Sequence, residues 1–230
     1  MTEFGRGLLE ALMLILRGDP GVREVVFLSL KVSGTALLFA TLIGIPLGAW
    51  LGLARFPGRR LVIALLYTGM GFPPVVIGLL VYLLLSRSGS LGFLGWLFQP
   101  PAMVLAQTII AFPLVAGFTM AAVIGLNPGL RQQLLSLGAT SWQATLALLR
   151  EARVGVVVSL VAGFGAIISE VGAVMMVGGN IEGHTRVLTT AIVQLTRMGA
   201  FATAMALSLI LLALSFGINL ALLRLQGRME

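Results

Sequence analysis

The chain has 230 residues, 58% hydrophobic and only 10% charged, with a mean hydropathy of +1.06, whereas a soluble domain carries roughly 25% charged residues. These values exclude a soluble globular domain and point to an integral membrane protein; the lack of cysteine excludes disulfides and thiolate metal sites. The net charge of +7 comes from 14 arginines and one lysine, with no interleaving of basic and aromatic residues, so it reads as loop charge that sets topology and not as a nucleic-acid surface.

In chain order, residues 1–24 form an N-terminal interfacial segment. Its "GRGLLEALMLILRGDP" holds about ten apolar residues interrupted by Glu10, too few to span a bilayer and without a cleavage site, and predicts a short amphipathic helix lying at the interface. Residues 25–228 form one membrane domain. Uncharged runs at 32–54, 61–86, 88–130 and 198–223, with 154–181 broken only by Glu170, predict five spans over 27–54, 61–86, 102–126, 154–177 and 200–223, because a helix needs about 20 apolar residues to cross about 30 Å of hydrocarbon. The runs are apolar throughout and do not alternate, so the expected fold is all-α and not a barrel.

The first span carries "GIPLGAWLG", with Gly44, Gly48 and Gly52 on one face, a signal for close helix packing; Pro46 within it is expected to bend the helix. In the second, Pro73 lacks an N–H and Pro74 disfavours the helical conformation of the residue before it, predicting a kink or an opening. That opening reads equally as a wall of a pathway, with Gly78 following it, or as a structural kink. The fourth span contains Glu170 beside Ser169 and Gly172. A carboxylate at that depth must be paired or hydrated; it reads as a gate or latch, or as a helix–helix hydrogen bond.

Between the third and fourth spans, residues 127–153 read "LNPGLRQQLLSLGATSWQATLALLREAR" from Leu126 and predict two short helices. Asn127 is the expected N-cap of the first, with Pro128 at its first position and Gly138 as a left-handed stop. Thr140 caps the second, and Gln143 completes a capping box. Trp142, Leu146 and Leu149 fall on one side of it. With Arg131, Arg150 and Arg153 holding it at an aqueous surface, the hairpin is positioned to meet a soluble partner, or merely connects two spans.

Much chemistry is excluded. A phosphate-binding P-loop needs lysine after glycine, and the single lysine, Lys31, follows Leu30. The lone His184 has no second histidine or carboxylate at ligand spacing, so neither a zinc site nor a histidine-centred triad is expected. No internal repeat of the secondary-carrier kind is visible.

The segment around "LGA" resembles the cytoplasmic loop of ABC importer permeases, whose motif runs Glu-Ala-Ala, three residues, Gly, and later Ile-x-Leu-Pro. Gly138 matches the motif glycine, Gln132, Gln133 and Leu134 stand for Glu-Ala-Ala, Leu148 takes the Ile position, and Arg150 and Glu151 replace Leu-Pro. "GFPPVVIGLLVYLLL" and "SEVGAVMMVGGNIEGHTRVLTTAIV" are similar to oxyanion-importer permeases, which serve molybdate, sulfate and tungstate. SEVGAVMMVGGNI, "LLREAR" and "LLSRSGSLGFLG" are similar to the tungstate group in particular.

The resemblance implies a type I ABC importer permease core of five transmembrane helices with a cytoplasmic coupling helix, multi-pass in the inner membrane, the N terminus outside and the C terminus cytoplasmic. It implies a second permease copy, two cytoplasmic ATPase subunits that bind ATP and Mg, an extracytoplasmic oxyanion-binding protein, and no cofactor or catalysis on this chain. Gln132, Gln133, Gly138, Ala139, Thr140, Trp142 and Leu148 would couple to the ATPase; Pro73, Pro74, Gly78, Ser169, Glu170 and Gly172 would form the pathway or gate; Asn180, His184, Thr185 and Arg186 would stand at the external mouth. A molybdate or sulfate importer is the near alternative. An ATP-independent anion carrier or channel, or a membrane scaffold, is the alternative from another class.

Overall fold

The computed structural model describes residues 19–227, together with Gly5, Leu8, Leu9 and Met13. The expected N-terminal amphipathic helix lies largely outside the described residues; those four are helical, and Leu8, Leu9 and Met13 are exposed. From Pro20 onward the fold is ten α-helices: α1 (Pro20–Leu53), α2 (Arg59–Met70), α3 (Pro74–Leu85), α4 (Pro100–Ile124), α5 (Leu130–Ser136), α6 (Ser141–Glu151), α7 (Arg153–Ile168), α8 (Gly172–Gly178), α9 (Leu188–Arg197) and α10 (Phe201–Gly227). A single 3₁₀ turn, Gly92–Leu94, sits between α3 and α4. No strand occurs among the described residues.

Among the described residues three helices, α1, α4 and α10, are long and apolar enough to cross a membrane, and the count rises to as many as five if each bent pair, α2 with α3 and α6 with α7, is one span. The expected first span starts earlier than residue 27: the Asp19 carboxylate accepts the Val22 N–H at 3.0 Å and Pro20 takes the first turn, a helix start that needs no apolar residue. The helix runs unbroken through Pro46. The expected spans over 61–86 and 154–177 are each divided in two, by residues 71–73 and 169–171.

α4 is the axis of the bundle. It touches α1, α2, α3, α7 and α8, and Met103, Ala106, Ala111, Val115, Ala116 and Met120 along it are fully buried. Its closest partner is α1, which runs parallel to it. A Cβ placed on Gly44 would lie 3.0 Å from Val115 Cγ1, one on Gly52 2.9 Å from Val123 Cγ1, and one on Gly48 would collide with the Ala116 carbonyl oxygen. The glycine stripe thus lets two backbones meet where lipid-like side chains supply no hydrophobic drive, so dispersion at short range holds the pair.

The resulting bundle has two ends. α1 and α4 both run toward the end that bears α5 and α6, here the basal end; the loops 86–99 and 179–187 form the apical end. α10 is the least enclosed long helix, with Leu212 and Phe216 exposed, as a lipid-facing helix requires.

Gly48→Leu is expected to destabilise the purified chain by at least about 2 kcal/mol, since overpacking at a rigid backbone contact has nowhere to relax. Gly217→Ala, where an added Cβ meets no atom within 4 Å, is expected to leave the thermal midpoint in detergent unchanged or slightly higher. Equal midpoints for the two variants would refute the assigned α1–α4 contact.

Candidate functional site

The first helix break follows from proline chemistry. Pro73 and Pro74 remove two consecutive donors, α2 closes at Gly71, whose N–H reaches the Thr68 and Gly69 carbonyls, and α3 restarts with the Pro73 carbonyl accepting from Val76 at 2.9 Å. The two helices meet at 99°. A cavity of about 610 Å³ opens at this elbow, lined among others by Gly69, Phe72, Pro73, Pro74, Pro113 and Ala166. Its walls are apolar, so it is a shaped space and not a ready-made anion cradle.

The second break is built from polar side chains instead. Ser169 ends α7 and folds its hydroxyl back to the Gly165 carbonyl at 2.8 Å. Glu170 then turns its carboxylate onto the start of α8, where Oε1 accepts the Ala173 N–H at 2.8 Å. Two further side chains bond carbonyls at the break: Gln107 Nε2 donates to that of Ile167 at 2.9 Å, which also accepts the Glu170 N–H at 3.3 Å, and Thr189 Oγ1 donates to that of Glu170 at 2.8 Å. Non-helical backbone in a membrane requires such partners. Glu170, 9% exposed, is therefore a helix cap in this conformation.

The two breaks face each other. A Cβ on Gly78 would lie 2.7 Å from Ala173 Cα, and one on Gly172 2.9 Å from Val75 Cγ2. Five of the six expected pathway residues, Pro73, Pro74, Gly78, Glu170 and Gly172, are thus brought together, with Ser169 exposed beside them. Gln107 and Thr189 belong to the same site and were not anticipated. Gln107 is the one amide within the expected span over residues 102–126, apart from Gln99 and Asn127 beyond its ends, and that was the available signal, since a polar group at that depth needs a partner.

At the apical end the expected mouth residues divide. His184 Nε2 lies 2.6 Å from Gln99 Oε1, on the surface, and Arg186 pairs with Glu182 at 3.0 Å. Asn180, at φ 52°, donates to Gln194 Oε1 at 2.6 Å. Thr185, expected at the mouth, is instead fully buried, where its hydroxyl donates to the Gly178 carbonyl and accepts the Ile181 N–H at 2.9 Å. Its role in this conformation is to fix the loop.

The basal hairpin carries the other half of the site. α5 starts at Leu130, two residues later than Pro128, because Asn127 closes a turn by accepting the Gly129 N–H at 2.9 Å. It ends in a Schellman motif: Gly138 has φ +88° and bonds Leu135, while Ala139 bonds Leu134 at 3.1 Å. The Thr140–Gln143 capping box is complete, at 3.3 and 2.8 Å. Gln132 and Gln133 are exposed, Leu137 is 85% exposed and Trp142 74%. The inward face of α6 is Ala144 and Leu148, with Ala152 one turn on, while Trp142 and Leu146 are exposed. Leu148, expected among the coupling residues, is 2% exposed and packs inward, so it positions the hairpin without presenting itself to a partner.

Residues 44–229 match the family described as the binding-protein-dependent transport system inner membrane component. The chain belongs to this family. It is 41% identical over 98% of its length to the tungstate uptake system permease protein TupB of Peptoclostridium acidaminophilum, covering 99% of that protein. It is also 43% identical, over 89% of this chain and 90% of the relative, to a probable anion ABC transporter permease protein of Haloferax volcanii. The molybdenum transport system permease protein ModB of Escherichia coli K12 is more distant, at 33% identity over 84% of this chain and 88% of its own. The fold is shared with a chain of the MetNI methionine ABC transporter, with a TM-score of 0.72 at 22% identity, covering 95% of this chain and 97% of that one.

Glu170→Ala is expected to leave the Ala173 N–H without its partner and to lower the stability of the purified chain by about 1–3 kcal/mol, read as a drop in thermal midpoint. Glu170→Gln, which keeps an acceptor at the same place, is expected to retain most of it. If glutamine is as damaging as alanine, the charge and not the cap is what the site needs.

Proposed function

We propose that the chain is the permease subunit of an ATP-driven importer and forms the membrane pathway for an oxyanion, tungstate. The observation that carries this reading is the 41% identity to a tungstate uptake permease along nearly the full length of both chains. In this reading the core has five spans: α1, α2 with α3, α4, α7 with α8, and α10. The basal end is cytoplasmic, so the N terminus lies outside and the C terminus inside.

The hairpin of residues 127–153 is the coupling element. Leu137 and Trp142, large apolar side chains held outward by two well-capped helices, are suited to a cleft in a cytoplasmic ATPase subunit, which binds ATP and Mg and performs the hydrolysis. Each of two permease copies would dock one such subunit. α7 begins two residues after α6 ends, so a displacement of the hairpin is delivered along one rigid rod to the break at 169–171. The facing breaks are then the two-state element that ATP-driven closure biases between inward and outward access. At the apical end, His184, Gln99 and Arg186 face the extracytoplasmic binding protein that delivers the oxyanion.

The test is to co-purify the tagged chain with its partners in mild detergent and to measure ATP hydrolysis with binding protein and tungstate, molybdate or sulfate. Recovery of an ATPase subunit, with hydrolysis stimulated most by tungstate, is the expected result. Stimulation by molybdate or sulfate instead would move the substrate assignment to the more distant relatives, and anion flux in liposomes that needs no ATP would move it to a carrier.

Gly138→Leu is expected to abolish ATP-dependent transport with little loss of membrane-inserted protein. No atom lies within 4 Å of an added Cβ there, so the cost is the left-handed backbone, of order 1–2 kcal/mol, concentrated in the hairpin. Transport at the unsubstituted rate would count against the docking assignment.

A further inference from the structure

The lone lysine is not used by any of the sites above, and its surroundings are specific. Lys31 sits at the apical end of a groove of about 590 Å³ between α1 and α4, lined among others by Phe39, Ile43, Trp96, Pro101 and Leu105. The groove is almost wholly apolar, in part because the Thr108 hydroxyl is turned back onto the Val104 carbonyl at 2.7 Å. Lys31 itself is exposed, and among the described residues its amine has no hydrogen-bond or ion-pair partner.

Depth decides what can meet that amine. From Val32 to the end of α1 at Leu53 the helix has 22 uncharged residues, a rise of about 33 Å at about 1.5 Å per residue, close to one hydrocarbon thickness of about 30 Å. The basal end is marked by Arg55 and Arg59. Lys31 therefore lies at the opposite boundary between hydrocarbon and headgroups, where Trp96 is also at home, and the groove descends from it into the bilayer alongside Phe39 and Ile43.

We propose that this groove is a binding site for one anionic phospholipid of the apical leaflet, its headgroup held by Lys31 and an acyl chain lying along the α1–α4 face. Charge complementarity favours this occupant over a second copy of the chain. Among the described residues the apical carboxylates are Asp19, which holds the Val22 N–H, Glu182, which pairs with Arg186, and Glu24, about 10 Å above Lys31 along α1 at about 1.5 Å per residue; Glu170 is buried and already holds the Ala173 N–H, so a second copy brings no free anion to the depth of Lys31. A lipid brings both the phosphate and the chain. Because α1 and α4 are the most closely apposed helices, a lipid seated between them would brace the rigid half of the bundle.

The test uses the purified full-length chain with Trp50→Phe and Trp142→Phe, so that Trp96 is the remaining tryptophan. It is reconstituted in vesicles of phosphatidylglycerol and phosphatidylcholine in equal amounts, with bromine on the acyl chains of one lipid or the other. Trp96 emission is expected to report about fivefold higher local occupancy by brominated phosphatidylglycerol than by brominated phosphatidylcholine, the enrichment that one basic residue at a charged membrane surface supplies. Lys31→Gln is expected to remove the difference and Lys31→Arg to keep it. Equal quenching by the two lipids overturns the proposal, as does weak quenching by both, which would mean that protein covers the groove. The readout involves no transport, so it stands or falls apart from the substrate assignment.

Discussion

The structure depends on one constraint: in hydrocarbon every backbone N–H and carbonyl must find its partner within the protein. Continuous helix meets it at no further cost, which is why α1, α4 and α10 can be built mostly from Leu, Ala, Val, Ile and Gly. Each departure from helix then needs a named device. At 71–73 proline removes donors outright, so fewer groups are left to satisfy. At 169–171 the donors and acceptors remain, and Glu170 in the break itself, Gln107 on α4 and Thr189 on α9 bond them.

That difference sets what was legible in the sequence. The break at Pro73 and Pro74 was readable because its cause is covalent and local. So were the left-handed Gly138 and the Thr140–Gln143 box, whose partners lie within a few residues. The break at Glu170 was not, because its partners Gln107 and Thr189 lie 60 and 19 residues away from the groups they hold, and an apolar run with one acid reads as a continuous span. α9 was missed for another reason. Leu188, Ala191, Ile192 and Leu195 have helical spacing and pack on α1 and α10, but ten residues with threonines among them fall below the length that signals a membrane helix.

The spacing on α6 places Trp142, Leu146 and Leu149 on one side and does not say which way that side turns. A hydrophobic stripe is expected to point inward, whereas here Ala144 and Leu148 are buried and Trp142 and Leu146 are exposed. Leu137 and Trp142 are thus held outward between two complete caps. The sequence carries the caps openly and conceals which face they present.

Rigidity and mobility are partitioned along the chain accordingly. α1 and α4 touch backbone to backbone through Gly44, Gly48 and Gly52, a contact that has one good geometry and resists graded change. The facing breaks meet as closely, a Cβ on Gly78 lying 2.7 Å from Ala173 Cα and one on Gly172 2.9 Å from Val75 Cγ2, but side chains and not a continuous helical ladder complete the end of α7 and the start of α8. Gln107 is the junction between the two halves. Its Nε2 belongs to the break, its backbone to the rigid axis, and its Oε1 has no partner among the described residues. A second arrangement of the break that offered a donor to this oxygen would therefore gain a hydrogen bond that the present one lacks. The axis need not move for that to happen, and the bias between the two arrangements then rests with whatever displaces α7 at its basal end.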